Sequence, residues 1–314
     1  MPPPSDDSLL IVAALGGNAL LRRGQPLDAD VQRENVRGAA AVLAGLAGSH
    51  RLVIVHGNGP QIGLLALQSE AYRDVRAYPL DVLGAETEGM IGYLLERELA
   101  NALAERQIVA LLTQVVVDAN DPAFAAPTKP IGPMYAEEEA RRLATARGWV
   151  VAPDGSGWRR VVASPHPRAI VELEAIRILL DAGVIVVAAG GGGIPIVVDD
   201  NGVRHGVEAV IDKDWAAAVL ADALGADALL LLTDVSAVHL SWGTPHARPL
   251  DRGSPNEIAA LRFDPGSMGP KVDAACWFVS HSGKRAVIGA VSHALAMLRG
   301  EAGTRIDPDI TAGA

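Results

Sequence analysis

The chain has 314 residues, 49% of them hydrophobic, which is enough to bury a large core in one α/β unit or two lobes. A formal net charge of −10, with no run of Lys or Arg longer than two, argues against a nucleic-acid-binding surface. A single cysteine excludes an internal disulfide, and no apolar stretch approaches the ~18 residues of a membrane span. The opening MPPPSDDSLL lacks the basic region and long apolar run of a secretory signal, so the expectation is a cytoplasmic protein with neither nucleic-acid nor membrane partners.

In chain order, short β-branched apolar runs occur at 9–15, 52–55, 108–117, 184–189, 228–233 and 286–290. Most are separated by helical patterns at 30–48, 83–106, 168–182 and 214–225. Continuous rather than alternating apolar runs are the mark of strands covered on both faces, and alternation with helices calls for parallel pairing. The fold class expected is a three-layer αβα sandwich with a mostly parallel central sheet.

Two segments interrupt that rhythm. Residues 118–165 are rich in Pro, Gly and charge and contain a hairpin pattern, WVV and WRRVV around Pro153, Asp154 and Gly155, which reads as a protruding insertion or lid. A second hairpin is expected over 194–211, turning at Asn201 and Gly202. The lobe boundary falls near 190, giving an acceptor lobe over 1–190 that carries the lid and a nucleotide lobe over 191–314. Cys276, in an apolar helical pattern, reads as packing rather than as a nucleophile.

Three strands run straight into glycine clusters: Gly16 and Gly17 with Asn18, then Gly57, Asn58 and Gly59, then Gly190 through Gly193. In open α/β sheets the carboxyl ends of strands form the binding crevice, and glycine there lets backbone amides approach a phosphate or carboxylate. A fourth strand ends in Thr233, Asp234 and Val235. No GxxxxGK[ST] is present, and neither GGNALL nor GNGPQIG fits the GxGxxG dinucleotide pattern, so cationic contacts to an anion must come from elsewhere.

The scarcity of lysine suggests where. Four lysines stand against twenty-three arginines. Lys129 in PTKPIGP, Lys213 in VIDKDWA and Lys271 in GSMGPKV all lie in Gly-, Pro- or Asp-rich bends, whereas Lys284 reads as an ordinary surface residue. A compact, mobile ammonium group does what a planar guanidinium cannot.

The strings LGGNAL, HGNGPQIG, EGMIGY, PTKPIGP, WRRVV, GGGGIP, VEAVIDKD, LLTDV and GSMGPKV, in this order over nearly the whole chain, resemble the amino acid kinase family, and the insertion with PTKPIGP resembles its carbamate-phosphorylating branch. The resemblance implies a homodimer that transfers a phosphoryl group reversibly between ATP and carbamate, giving ADP and carbamoyl phosphate, with Mg²⁺ entering on the nucleotide. It also implies a place in arginine, agmatine or purine breakdown. On this reading Lys129, Lys213, Asp214 and Lys271 are catalytic, with Lys213 and Lys271 on the β- and γ-phosphates, Lys129 on the acceptor side and Asp214 holding the lysines or serving its helix start. Amides of Gly16, Gly17, Gly57 and Gly59, with Asn18 and the Asn58 amide, would hold the acceptor. Gly191, Gly192, Thr233, Asp234, Val235 and Met268 would join the lysines around the nucleotide.

The chain departs from the family pattern at informative places. Ala14 stands where other amino acid kinases carry a lysine, which leaves Lys129 to supply that charge. Glu88 stands where the branch has glutamine, with Glu86 beside it; Glu88 reads as a solvated or subunit-facing helix residue in preference to one that would repel carbamate from the pocket. LRFDP precedes GSMGPKV without the family's Gly-His-Phe. A kinase for another small acid, and a non-catalytic sensor of nucleotide or carbamoyl phosphate, remain open alternatives. Replacing Lys129 by Arg is expected to lower turnover sharply while leaving ADP affinity nearly intact, measured by coupled assay and calorimetry; Lys284→Arg is expected to change little.

Overall fold

The computed structural model describes residues 8–21, 24–72, 74–263 and 268–308, without the side chains of residues 18 and 19. Its centre is an eight-stranded sheet in the order Arg252–Gly253, Thr304–Ile306, Arg285–Ala290, Ala228–Thr233, Leu10–Leu15, Arg51–His56, Ile185–Val187 and Ile108–Ala110. Every pairing in it is parallel except that of Thr304–Ile306 with Arg285–Ala290.

The uninterrupted apolar runs follow from cover on both faces. Val12, Ala14, Val53, Val55, Leu229 and Leu231 point into one core, with the helices Lys213–Leu224 and Met268–Ser282 above them. Their neighbours Ile11, Ala13, Leu15, Leu52, Ile54, Leu230 and Leu232 point into the other, under Ala29–Ala47, Leu80–Ala102 and Ala294–Arg299. Successive side chains alternate between faces, so both parities must be apolar. The expected αβα sandwich is what forms. Cys276 packs half-buried against the first core.

Two further sheets lie outside the central one. Gln114–Val117, Pro167–Ile170, Ile194–Val198 and Arg204–Gly206 form a mixed four-stranded sheet, including the expected hairpin turning at Gly202 with φ +80°. Lys129–Tyr135, Gly157–Val162 and Val150–Asp154 form an antiparallel three-stranded sheet, with the helix Glu137–Arg147 as its cover.

Local expectations shift in three places. The run 108–117 is two strands, because the chain leaves the central sheet after Ala110 and Gln114 pairs with Ile194 in the second sheet. The pattern 168–182 begins as the strand Pro167–Ile170 before the helix Leu173–Asp181, since prolines at 165 and 167 restrict their neighbours to extended backbone. The lid hairpin turns at Gly155 and Ser156, one step later than expected, with Asp154 still paired to Gly157.

Register aligns the strand ends. Leu15 lies opposite His56 on one side and Leu232 on the other, and Ile54 lies opposite Val187. The glycine clusters and Asp234 therefore leave the sheet along a single edge. Ala189 and Gly191 take φ of +50° and +68°, and a Cβ at Gly191 would lie 2.0 Å from Asn58 Nδ2. Gly191→Ala is expected to cost about 1–3 kcal/mol in urea unfolding, from left-handed strain and displacement of Asn58.

Candidate active site

Along that edge lies a cleft of about 910 Å³. It is lined by Gly16, Gly17, Gly57, Asn58, Gly59, Gly191, Thr233, Asp234, Val235 and Met268, and by Lys129, Lys213, Asp214 and Lys271. Gly192 lies outside the lining, pressed on Ile211 with φ +102°, where a Cβ would sit 2.4 Å from the Ile211 carbonyl oxygen. The side chain of Asn18 falls outside the described residues.

The lysines converge as their contexts suggested, but two of them start helices rather than bends. Lys213 is the first residue of Lys213–Leu224, and Lys271 lies in the first turn of Met268–Ser282. Each is thereby fixed by backbone geometry at the edge of the sheet. Lys213 Nζ donates to Asp214 Oδ1 at 2.9 Å, and Lys271 Nζ donates to Asp214 Oδ2 at 2.7 Å. Asp214 thus spends its carboxylate on the two lysines, and the cap of its helix is Asp212, whose Oδ1 accepts from the Asp214 amide at 2.9 Å.

Asp212 was not legible as a site residue from sequence. Its other oxygen accepts from Lys129 at the head of the strand Lys129–Tyr135, which brings that strand to the cleft. Two acids alternating with Lys213 in DKD were the available signal. Arg159 is a second addition: it lines the cleft, donates to the Gly132 carbonyl and the Asp154 carboxylate at 3.0 Å each, and faces away from its neighbour Arg160 as strand alternation requires. Ala237, His239, Trp242 and Phe263 add apolar and aromatic walls near Met268.

Burial opposes every charge here, and pairing decides the outcome. Burial alone would raise Asp212 and Asp214, but Lys129, Lys213 and Lys271 hold Asp212 below its ordinary value, and Lys213 and Lys271 do the same for Asp214. Burial would lower Lys213, yet Asp214 and Asp212 leave it raised. Lys271 is lowered, by burial and then by repulsion from Lys213 against the pull of Asp214. His56 is driven down to about 4 by burial and is neutral near pH 7, so it adds no positive charge.

The glycine amides divide into two kinds. Those of Gly16 and Gly57 donate to Leu232 O at 2.7 Å and Leu15 O at 3.0 Å, so the expectation that they hold an acceptor is not met. Gly17 and Gly59 stand at the first residues of the helices Gly17–Leu20 and Gly59–Ala71, where amides have no partner within the helix. Asn58 donates from Nδ2 to Thr87 Oγ1 at 2.8 Å, which orients its amide against Gly191.

Glu88 is corrected outright: it is 3% exposed, inside its own chain and outside the cleft lining. Its Oε2 accepts from the Thr113 amide at 2.9 Å, while Oε1 is buried with no hydrogen-bond partner. Glu86 is exposed. Lys284 is exposed and pairs with Asp227 at 3.5 Å, away from the cleft.

Comparison with known proteins agrees with this geometry. The model of the Amino acid kinase family matches residues 10–290. Carbamate kinase of Haemophilus influenzae is 54% identical over 94% of this chain and 96% of its own length, and that of Pyrococcus horikoshii is 46% identical over 95% and 99%. A solved carbamate kinase from Giardia lamblia, bound to AMP-PNP, superposes with a TM-score of 0.88 at 41% identity, covering 96% of this chain and 99% of that one. The chain belongs to the amino acid kinase family. Within that family it is an enzyme of the carbamate kinase branch.

The raised pKa of Glu88 has a testable sign. Burial lifts it well above the carboxylate range, against the amides of Thr113 and Gly190 and with help from Glu172. The folded chain therefore holds that proton more tightly than the unfolded one, and stability is lost as pH rises from the ordinary Glu range through the raised value. Glu88→Gln is expected to raise the melting temperature more at pH 8 than at pH 5 in paired thermal scans.

Proposed function

We propose that the cleft transfers a phosphoryl group between ATP and carbamate with Lys213 and Lys271 on the nucleotide phosphates and Lys129 on the acceptor. The observation that carries this reading is the convergence of three ammonium groups on two carboxylates where the glycine loops meet. Carbamate is already an anion, so its oxygen attacks the γ-phosphorus without a general base. The new P–O bond forms as the bond to the ADP oxygen breaks, and no proton moves. Two anions must nevertheless meet in line, and the barrier is mainly positioning and charge. The lysines are mobile donors that leave Asp212 and Asp214 for phosphoryl oxygens. The carboxylates hold them in place between turnovers.

In this assignment the lobe over 1–190 takes the acceptor, near Gly17, Asn58 and Gly59, and the lobe over 191–314 takes the nucleotide. Thr233, Asp234 and Val235 lie toward the ribose and phosphates, and His239, Trp242, Phe263 and Met268 supply a wall for the base. Among the described residues no three His, Cys, Asp or Glu gather as a metal cage, and Asp212 and Asp214 are committed to ammonium groups. These residues do not fit a resident metal, and Mg²⁺ belongs with the nucleotide's own oxygens. A homodimer in the cytoplasm completes the reading. No helix among the described residues is long and apolar enough to cross a membrane.

The deciding assay supplies ADP with carbamoyl phosphate and measures ATP, then repeats with acetyl phosphate and tests acetylglutamate in the forward direction. ATP from carbamoyl phosphate alone is the expected result; activity only with another acid, or binding without turnover, would replace the reading. Lys271→Ala is expected to lower kcat by about 10²–10³-fold, the usual loss on removing one preorganised charge-stabilising donor, in steady-state kinetics.

A further inference from the structure

The lid brings Lys129 to the cleft, and what fixes its height lies outside the cleft. The helix Gly59–Ala71 begins at the acceptor glycine loop and packs along the lid strand Lys129–Tyr135. At Gly63 the two backbones touch: a Cβ there would lie 1.9 Å from Gly132 Cα and 2.1 Å from Gly132 N. Gly132 has φ +73°, a conformation that other residues rarely adopt. Two turns further along the helix, Glu70 accepts from Arg147 at 2.6 Å and pairs with Arg160 at 3.5 Å, both from the lid. Trp149 of the lid lies 4.9 Å from each of those guanidinium groups, stacking the pair around the same carboxylate.

Glycine within a helix is a cost that alanine would remove, so Gly63 is explained by the contact and not by the helix. Between Gly132 and Lys129 the strand is held by pairing of Lys129, Pro130 and Ile131 to Val162, Val161 and Arg160. Gly132 lies where the regular pairing breaks off, directly beyond the paired run 129–131, so a displacement there is passed to the segment whose first residue pairs with Asp212.

We propose that Gly63 and Glu70 are positioning residues for phosphoryl transfer, forming the seat on which the lid rests when Lys129 reaches the cleft. The proposal rests on the reading of Lys129 as the acceptor-side cation. It treats the Gly63 contact as a stop that sets distance and the Glu70 cluster as the latch that holds the lid against it.

The experiment uses the full chain as wild type, Gly63→Ala, Glu70→Gln, Lys129→Ala and the double variant Gly63→Ala with Lys129→Ala. Hydrogen exchange at the amides of 129–135, without substrate, reads the seat; kinetics with ADP and carbamoyl phosphate read its consequence. Gly63→Ala is expected to speed exchange at least fivefold there and to lower kcat/KM for carbamoyl phosphate at least tenfold, with ADP affinity within twofold. Its melting temperature is expected to fall, because the new Cβ must displace backbone, and the retained ADP affinity is the control that a general folding defect would not allow. Glu70→Gln is expected to do the same more weakly, which keeps the test open if Gly63→Ala folds poorly. Added to Lys129→Ala, Gly63→Ala is expected to cost less than a further twofold. Unchanged exchange in both single variants, or a full tenfold loss on top of Lys129→Ala, overturns the seat. A wild type that makes no ATP from carbamoyl phosphate overturns the reading of the cleft instead, and the exchange data tell the two failures apart.

Discussion

The carboxylate of Asp214 accepts from Lys213 and Lys271 with all three groups nearly out of solvent, while Asp212, more open to solvent, pairs with Lys129 alone among the described residues. Such buried pairs are poor sources of stability, because desolvating each ion costs several kcal/mol that mutual attraction barely recovers. Their worth is in what they hold ready. Three cations against two anions leave an excess of positive charge in an otherwise acidic chain, at a place where water is partly excluded and each interaction counts for more. On the proposed reading, an incoming phosphate would complete a network that the protein has already paid to desolvate.

The parallel sheet is what allows that network to exist. Strands far apart in sequence end level with one another only because their registers are locked, Leu15 against His56 and Leu232. Their registers are locked because slipping any strand by one residue would exchange the two cores, each filled by the opposite parity of side chains. Helix starts then deliver Lys213 and Lys271 to the same edge, while the three-stranded lid delivers Lys129 from the other side. Neither source alone brings all three ammonium groups together.

The sequence was most readable where one physical signal dominated. Unbroken apolar runs revealed the sheet, and glycine after a strand revealed the cleft edge. It was least readable where tertiary pairing outweighed local pattern. The run 108–117 looks like one strand because nothing local marks the step from one sheet to another, and 168–182 looks helical until Pro167–Ile170 finds a partner in Gln114–Val117. Lys213 and Lys271 could be picked out by their scarcity, but Asp212, which pairs Lys129, carries no such mark, since acids are common before helices. Glu88 was misjudged for a related reason: helical periodicity does not tell a solvated glutamate from one turned inward to a strand-end amide.

Arginine has taken nearly every surface position that lysine could occupy, and this gives the folded chain an unusual reactivity toward amine-directed chemistry. Of four primary side-chain amines, Lys213 and Lys271 are shielded in the cleft, Lys129 is turned to Asp212 and partly exposed, and Lys284 stands half exposed on the opposite surface. An activated ester or aldehyde support therefore meets Lys284 first among the side-chain amines. Coupling through it would tether the molecule with its cleft facing solution, and occupying the cleft would shield the other three amines further.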